Sequence, residues 1–274
     1  MLVEHTDMPP GMSYRQAARK AVAMCVSDFA AKGVRPHSFM VSMGVKRNVS
    51  QSQVDGLAHG LRDAELRWGA RLVGGDTNES KELVIDCAMV GFADRVVTRG
   101  GASPGEVLVV TGPFGYPPSG LKVLLEGAKT AARFGRTATK SVLEPTPNLE
   151  AGLALAPFLT SSMDSSDGLA RSIHTLARES GVGFELTSLP TGEGVERFAQ
   201  SNGLDPEKLV LEGGEEYVIV GTVKRSSLER ASAAARRAGA ELLSIGAATV
   251  GRGVLLKKGR TTRAVRNVGW THLG

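Results

Sequence analysis

Apolar residues in the first third of the chain alternate between helical periodicity and short continuous runs. From Ser13 to Lys32 they recur every three to four residues, with Ser13 placed as an N-terminal cap and Gly33 as the stop. The same pattern predicts a second helix that opens at Ser50 and ends at Gly69. Short apolar runs predict strands at residues 39–45, 70–73 and 83–92.

The remaining two thirds mix strand and helix patterns without strict alternation. Predicted strands cover residues 107–111, 183–186, 217–223, 242–247 and 253–256, with another ending near residue 163. Predicted helices cover residues 121–126, 148–158, 169–180, 194–201 and 226–239, and residues 127–147 look like a loose connection. This mixture favours an α+β fold over a doubly wound parallel sheet. A shift to Arg, Gly, Ser and Pro at residues 95–105 predicts a domain boundary.

Composition narrows the class of protein. The 274 residues are 42% hydrophobic and 22% charged, which is typical of a globular protein of one large or two ordinary domains. Apolar runs are too short to span a bilayer, and the first residues lack the pattern of a signal peptide. Cys25 and Cys87 show no metal-ligand spacing, so we expect reduced thiols and a cytoplasmic location.

The net charge of +5 raises the question of nucleic acid binding. The Lys and Arg residues are dispersed and are not interleaved with aromatic residues, so we expect no nucleic acid partner. Most of these cations are explained as solvated faces, although a few, such as Arg99, could contact a polyphosphate.

The segment Met-Asp-Ser-Ser-Asp-Gly at residues 163–168 is the main candidate for chemistry. Asp164 and Asp167 lie at a predicted junction between a strand and a helix. Two carboxylates held close together repel each other unless a cation lies between them. Hard oxygen ligands favour magnesium, which takes one or two protein carboxylates and completes its shell with water and substrate phosphates. The alternative is that this segment merely caps the following helix.

Three other segments carry acids in similar positions. Asp28 falls inside the first predicted helix on an apolar face, where the alternative is a buried, hydrogen-bonded Asp. Residues 74–77 (Gly-Gly-Asp-Thr) place Asp76 after two glycines at a predicted strand end, where the alternative is a simple turn. Residues 213–217 (Gly-Gly-Glu-Glu-Tyr) repeat the arrangement, and the alternative there is a hairpin turn with solvated acids.

Together these acids favour phosphoryl transfer, in which the protein mainly positions reactants while metal ions neutralise phosphate oxygens. The chain contains no Gly-x-x-x-x-Gly-Lys-Ser/Thr segment and no protein-kinase signature. A Ser-His-Asp hydrolase has little support, since no His lies in a nucleophile-elbow context.

The order of these motifs resembles the thiamine-monophosphate kinase family. The resemblance rests on residues 27–33, 74–77, 99–105, 111–112, 164–168 and 213–217, and residues 6–12 are most similar to the archaeal branch. It covers essentially the whole chain. It implies a two-domain α+β fold shared with aminoimidazole-ribonucleotide synthetase, with a mixed sheet and packed helices in each domain. Residues 1–97 would form the N-terminal domain and residues 98–274 the C-terminal domain.

The resemblance also implies a homodimer built through the N-terminal sheets and a reaction with Mg²⁺. The γ-phosphoryl group of ATP would pass to thiamine monophosphate and give thiamine diphosphate. The attacking phosphate is already anionic at neutral pH, so no general base is expected.

Site residues follow from the resemblance position by position. Asp28, Asp76, Asp164 and Asp167 match magnesium ligands. Gly75, Asp76, Arg99 and Ser166 match ATP-binding positions, and Asp7, Glu215 and Trp270 match positions that face thiamine monophosphate. For Trp270 the alternative is an anchor for the C-terminal tail.

Members of the family carry a further N-terminal segment with a paired Asp-Asp and another Asp, which would precede Met1. Two other functions are compatible with the motifs: an ATP-dependent synthetase or ligase of the same superfamily, and a nucleotide-binding protein without catalysis.

Overall fold

The computed structural model describes residues 1–271, which form helices and strands numbered here in chain order. The strands are β1 (Leu2–Val3), β2 (Arg35–Lys46), β3 (Arg71–Ser80), β4 (Val84–Phe92), β5 (Val107–Val110), β6 (Leu159–Ser165), β7 (Gly183–Leu186), β8 (Val218–Val223), β9 (Leu243–Thr249), β10 (Gly253–Lys258) and β11 (Thr261–Ala264). The helices are α1 (Glu4–Asp7), α2 (Tyr14–Lys32), α3 (Gln51–Trp68), α4 (Tyr116–Glu126), α5 (Ala132–Leu143), α6 (Leu149–Leu155), α7 (Leu169–Ser180), α8 (Val195–Ser201), α9 (Pro206–Leu211) and α10 (Leu228–Arg237).

The strands form two separate mixed sheets. The first has the order β1-β4-β2-β3, in which β2 pairs antiparallel with β4 and parallel with β3. The second has the order β11-β10-β7-β9-β5-β8-β6, in which β7 and β10 are parallel and the other neighbours are antiparallel. The predicted α+β class with a mixed sheet in each half is confirmed.

The two longest helices begin and end where the sequence predicts. Ser13 caps α2 and Ser50 caps α3, and each forms a capping box with the Gln three residues later. Gly33 and Gly69 end the two helices in the left-handed conformation. Local sequence alone therefore accounts for both ends of each helix.

Helix α2 lies at the centre of the molecule. It packs against α3 and α6 and also against β4 of the first sheet and β6 and β8 of the second. Because it is covered on several sides, buried residues occur around most of its circumference. One core cluster contains residues from both sheets and α2, so the division at residues 97 and 98 stays a prediction.

Two sequence predictions are wrong in detail, and some short elements were not predicted. The strand predicted at residues 70–73 does not end there: residues 74–77 continue it as part of β3, which pairs with β2 over nine positions, so the alternative of a turn is wrong too. The supposed loose connection at residues 127–147 contains α5, whose buried face consists of Gly135, Ala138 and Val142 and so carries few large apolar residues. The short helix α9 and the edge strand β11 were not predicted. Within residues 1–271, none of the helices combines the length and the apolar character needed to cross a membrane.

Candidate active site

Asp164 lies near the end of β6, in register with Ile219 of β8. Its side chain is only 6% exposed, and its Oδ2 accepts a hydrogen bond of 2.7 Å from the hydroxyl of Ser27 on α2. Helix α7 has Gly168 as its N-cap, with no side-chain capping hydrogen bond. The alternative that this acidic segment merely caps the helix is therefore wrong.

A second carboxylate, that of Asp28, acts on Asp164. Burial and, second, the charge of Asp28 raise the pKa of Asp164 to about 6, whereas the Ser27 hydroxyl opposes the shift. Asp28 itself is exposed on α2, so the alternative of a buried Asp28 is wrong. The arrangement is an acid pair in which one member is buried and the other is open to solvent.

Two cations lie beside this acid pair. The half-buried Lys32 donates a hydrogen bond of 2.7 Å from Nζ to the Ser162 carbonyl oxygen. Burial lowers the pKa of Lys32, and the charge of Arg99 lowers it further, while Asp28 and Asp164 oppose that change. Arg99 was predicted to contact ATP and Lys32 was not, although its position one helical turn after Asp28 places both on one face of α2.

The residues from Asp164 to Asp167 are called the acidic segment here. A cavity of about 920 Å³ opens beside its second half, at Ser166 and Asp167. Its walls come from α1, α4, α9, the loop before β8 and the C-terminal tail. Five residues predicted from the sequence are among those that line it: Asp7, Ser166, Asp167, Glu215 and Trp270.

The loop at residues 213–217 is held in a strained conformation against the acidic segment. Glu215 has a φ of 63° and Tyr217 a φ of 50°, which side chains other than glycine rarely adopt. The Glu215 amide donates to the Ser166 carbonyl oxygen at 2.6 Å, and the Tyr217 amide donates to that of Ser165 at 2.9 Å. The loop follows α9, and Glu215 pairs with buried Lys20, so the alternative of a hairpin with solvated acids is wrong.

Both chain ends contribute to the cavity. Asp7 accepts hydrogen bonds at Oδ2 from the Val3 amide and the Thr6 hydroxyl. The Trp270 amide donates to the Asp167 carbonyl oxygen at 3.0 Å. A Cβ atom on Gly269 would lie 2.2 Å from that same oxygen, so the close approach of the tail requires glycine.

Gly75 and Asp76 lie elsewhere, on the exposed edge strand β3. A Cβ atom on Gly75 would lie 1.9 Å from the Val41 carbonyl oxygen, so β3 approaches β2 this closely only with glycine. Neither residue is among the described residues that line the cavity. The predicted ATP-binding residues are therefore divided between β3, Arg99 and the acidic segment.

Tyr217 is a buried residue that the charges of several acidic side chains of the site affect. Burial raises its pKa well above the usual value, and the charges of Glu215, Asp164, Asp7 and Asp167 raise it further. These carboxylates therefore act on a common region, which would favour cations.

The carboxylates fit a magnesium ion that shares its coordination with a ligand. Among residues 1–271, no group of three or more His, Cys, Asp or Glu side chains is assembled to hold a metal ion. Magnesium in phosphate sites is commonly held by one or two carboxylates and by phosphate oxygens, and Asp28 with Asp164 supplies such a pair of hard oxygen donors.

Comparisons with known proteins give a consistent result for the family of this chain. Residues 1–93 match the family described as AIR synthase related protein, N-terminal domain. The thiamine-monophosphate kinase of Nitrosopumilus maritimus is 38% identical over 99% of this chain and 86% of its own length. That of Pyrococcus abyssi is 33% identical over 100% of this chain and 84% of its own length.

A solved structure described as AaThiL complexed with AMPPCP and TMP has a similar fold. It superposes with a TM-score of 0.87 at 26% sequence identity, covering 99% of this chain and 85% of the other. With the two relatives above, this similarity extends over nearly all of the sequence. The chain belongs to the thiamine-monophosphate kinase family.

Proposed function

We propose that this chain transfers the γ-phosphoryl group of ATP to thiamine monophosphate, giving thiamine diphosphate and ADP. One observation supports the proposal. In the segment at residues 164–167, Asp164 forms the acid pair with Asp28, and Ser166 and Asp167 line the large cavity. A phosphate bound at this segment would meet the acid pair through a magnesium ion and have its organic part in the cavity. Family membership supports the same reaction.

The chemistry requires charge neutralisation and alignment more than proton transfer. An oxygen of the thiamine monophosphate phosphate forms a bond to the γ-phosphorus of ATP, and the bond from that phosphorus to the bridging oxygen breaks, so that ADP leaves with the electron pair. The nucleophile is already anionic, so no side chain has to remove a proton. Arg99 and Lys32 would neutralise phosphate oxygens, and Arg99 offers the planar fork suited to them.

Magnesium would be held by Asp28 and Asp164, with Asp76 and Asp167 as further ligands, and would neutralise the phosphate oxygens. Asp28 and Asp164 repel each other without a cation, which supports this assignment. The exposed position of Asp76 on β3 leaves it available to a ligand or to a second copy of the chain.

The thiamine portion would lie in the cavity. Its thiazolium ring is cationic and would be attracted by the carboxylates of Asp7 and Glu215, and the indole of Trp270 offers an aromatic face. Gly75, Arg99 and Ser166 would contact ATP.

The reaction is tested by incubating the chain with ATP, Mg²⁺ and thiamine monophosphate and separating the products. Equal amounts of ADP and thiamine diphosphate are expected. A chain that binds ATP but does not bind thiamine monophosphate would favour a synthetase of the same superfamily. ATP binding without ADP would favour a nucleotide-binding protein without catalysis.

Trp270→Ala should weaken the thiamine substrate selectively. Loss of the aromatic face should raise the KM for thiamine monophosphate by about 5- to 30-fold, the equivalent of about 1–2 kcal/mol. The KM for ATP should stay within about two-fold, a change of under about 0.5 kcal/mol, because the indole is assigned to the thiamine substrate and not to ATP. Trp270→Phe keeps an aromatic ring, so its KM for thiamine monophosphate should lie between those of the unaltered chain and of Trp270→Ala. Equal changes in both KM values would instead indicate a tail anchor.

We propose that the chain forms a homodimer through the first sheet. Nine of the ten residues of β3 are exposed at the sheet edge. Met40, Val90 and Phe92 on the neighbouring strands are between 51% and 68% exposed. An apolar face beside an unpaired edge strand is typical of a surface that another chain covers.

Charges on this face should break the dimer. The double variant Met40→Glu/Val90→Glu would bury two carboxylates in an apolar interface, so sedimentation velocity should show monomers where the unaltered chain sediments as a dimer. Val250→Glu is the matched control, since Val250 is 88% exposed in the turn between β9 and β10. Unchanged sedimentation of the double variant would exclude this face as the interface.

A further inference from the structure

Lys20 is a buried cation on the central helix α2. Its side chain is 1% exposed, and it forms an ion pair in which Nζ lies 2.6 Å from Glu215 Oε1. The same ammonium donates to the Asp7 carbonyl oxygen at 3.1 Å. An isolated charge in such a place would be strongly unfavourable, so the lysine depends on these partners.

We infer that Lys20 is a positioning residue for the thiamine monophosphate pocket, which fixes the Glu215 carboxylate without itself contacting substrate. This inference rests on the proposed function. Both partners of Lys20 belong to residues that line the large cavity, and they come from parts of the chain that are 195 and 13 residues away. One ammonium therefore links two of the elements that form the pocket, α1 and the loop at residues 213–217.

The carboxylate of Glu215 is only half satisfied in the described part of the chain. Oε1 accepts from Lys20, whereas Oε2 is buried and has no hydrogen-bond partner there. A buried acceptor without a partner is unfavourable, and a ligand that donates a hydrogen bond would relieve it. The exocyclic amine of an aminopyrimidine is such a donor. Lys20 thus holds one oxygen and leaves the other for the substrate.

The backbone of Glu215 is strained, so its conformation depends on contacts such as the one with Lys20. Glu215 has a φ of 63°, a conformation that a non-glycine residue holds only when its surroundings enforce it. The hydrogen bond from its amide to Ser166 fixes the main chain, and the ion pair with Lys20 fixes the side chain. Burial raises the pKa of Glu215 and the charge of Lys20 opposes that change, so the lysine also favours the ionised acceptor.

The test compares Lys20→Met with Glu215→Gln and with the double variant. Substrate binding is measured by calorimetry with thiamine monophosphate, and KM and kcat are measured for both substrates. Lys20→Met should raise the Kd and KM for thiamine monophosphate by about 10-fold or more, and leave the KM for ATP within about two-fold. Lys46→Met is the control, because Lys46 forms an ion pair of 2.7 Å with Glu4 on α1 and does not contact Glu215.

The double variant separates positioning from a purely structural role. If Lys20 acts through Glu215, adding Lys20→Met to Glu215→Gln should change the KM for thiamine monophosphate by less than about two-fold. The double variant leaves neither buried charge unpaired, so this comparison stands even if Lys20→Met alone does not fold.

Two results would overturn the assignment: equal rises in both KM values, or additive effects of the two substitutions. An unaltered chain that neither binds nor phosphorylates thiamine monophosphate would instead overturn the proposed function, and this assignment with it.

Discussion

Asp167→Asn should reduce turnover by about 10² to 10³-fold while the chain stays folded, as expected when a single charged group that stabilises a transition state is removed. Asp167 is on the segment between the acid pair and the cavity, and its backbone carbonyl receives the Trp270 amide. The substitution removes the charge and retains the side-chain volume and the main-chain contact. Its effect should therefore appear in catalysis and not in packing.

The measurement is kcat over a range of magnesium concentrations, with circular dichroism to verify the fold. Asp55→Asn is a suitable control, because Asp55 is an exposed acid on α3 and does not line the cavity. Activity of Asp167→Asn equal to that of the unaltered chain at saturating magnesium would contradict the role of Asp167 as a metal ligand.

Asp164→Asn should stabilise the metal-free chain while it abolishes most activity. The pKa of Asp164 rises from 3.8 to about 6 on folding, chiefly through burial and then through Asp28. A raised carboxyl pKa adds stability that is complete below the unfolded pKa and is lost as the pH rises through the folded value. Near pH 7 the ionised Asp164 therefore lowers the free energy of unfolding by about 2–3 kcal/mol.

Asparagine carries no such charge and still accepts the Ser27 hydroxyl. The free energy of unfolding, measured by urea titration with a chelator present, should exceed that of the unaltered chain by about 2 kcal/mol near pH 7. The difference should disappear near pH 4, where the native Asp164 is protonated. Asp94→Asn provides an exposed control. A variant that is less stable at neutral pH would contradict the cost assigned to the buried charge of Asp164, to which burial contributes most and Asp28 next.

Local signals in the sequence were enough to predict the position of many helices and strands. The boundaries of α2 and α3 follow from Ser caps and Gly stops, and β4 and β7 follow from short apolar runs. The prediction that a strand ends at residue 73 failed because glycine occurs both in turns and where two strands approach closely. There it permits a close approach between two strands, and nothing in the local sequence distinguishes that from a turn.

Only part of the candidate site was predictable from the sequence, because its acidic motifs are local signals and its lysine contacts are not. Acids beside glycines stand out in a sequence, and Asp167 and Glu215 do line one cavity, together with Asp7, which only the family resemblance indicated. The lysines near these acids do not stand out in the sequence: Lys20 pairs with Glu215, and Lys32 lies near Asp28 and Asp164. Lys20 and Lys32 are two of many lysines and arginines, and their roles depend on contacts with residues more than a hundred positions away. Burial and pairing of that kind arise only when α2 is placed between the two sheets.

The fate of the terminal phosphoryl group of ATP tests the central claim most directly. The 274-residue chain is incubated with Mg²⁺, thiamine monophosphate and ATP labelled at the γ-phosphorus, and the label is followed into the products. The account predicts that the label is recovered as the terminal phosphoryl group of thiamine diphosphate, in an amount equal to the ADP formed. Label released only as inorganic phosphate, or retained in ATP, would contradict direct transfer by this chain.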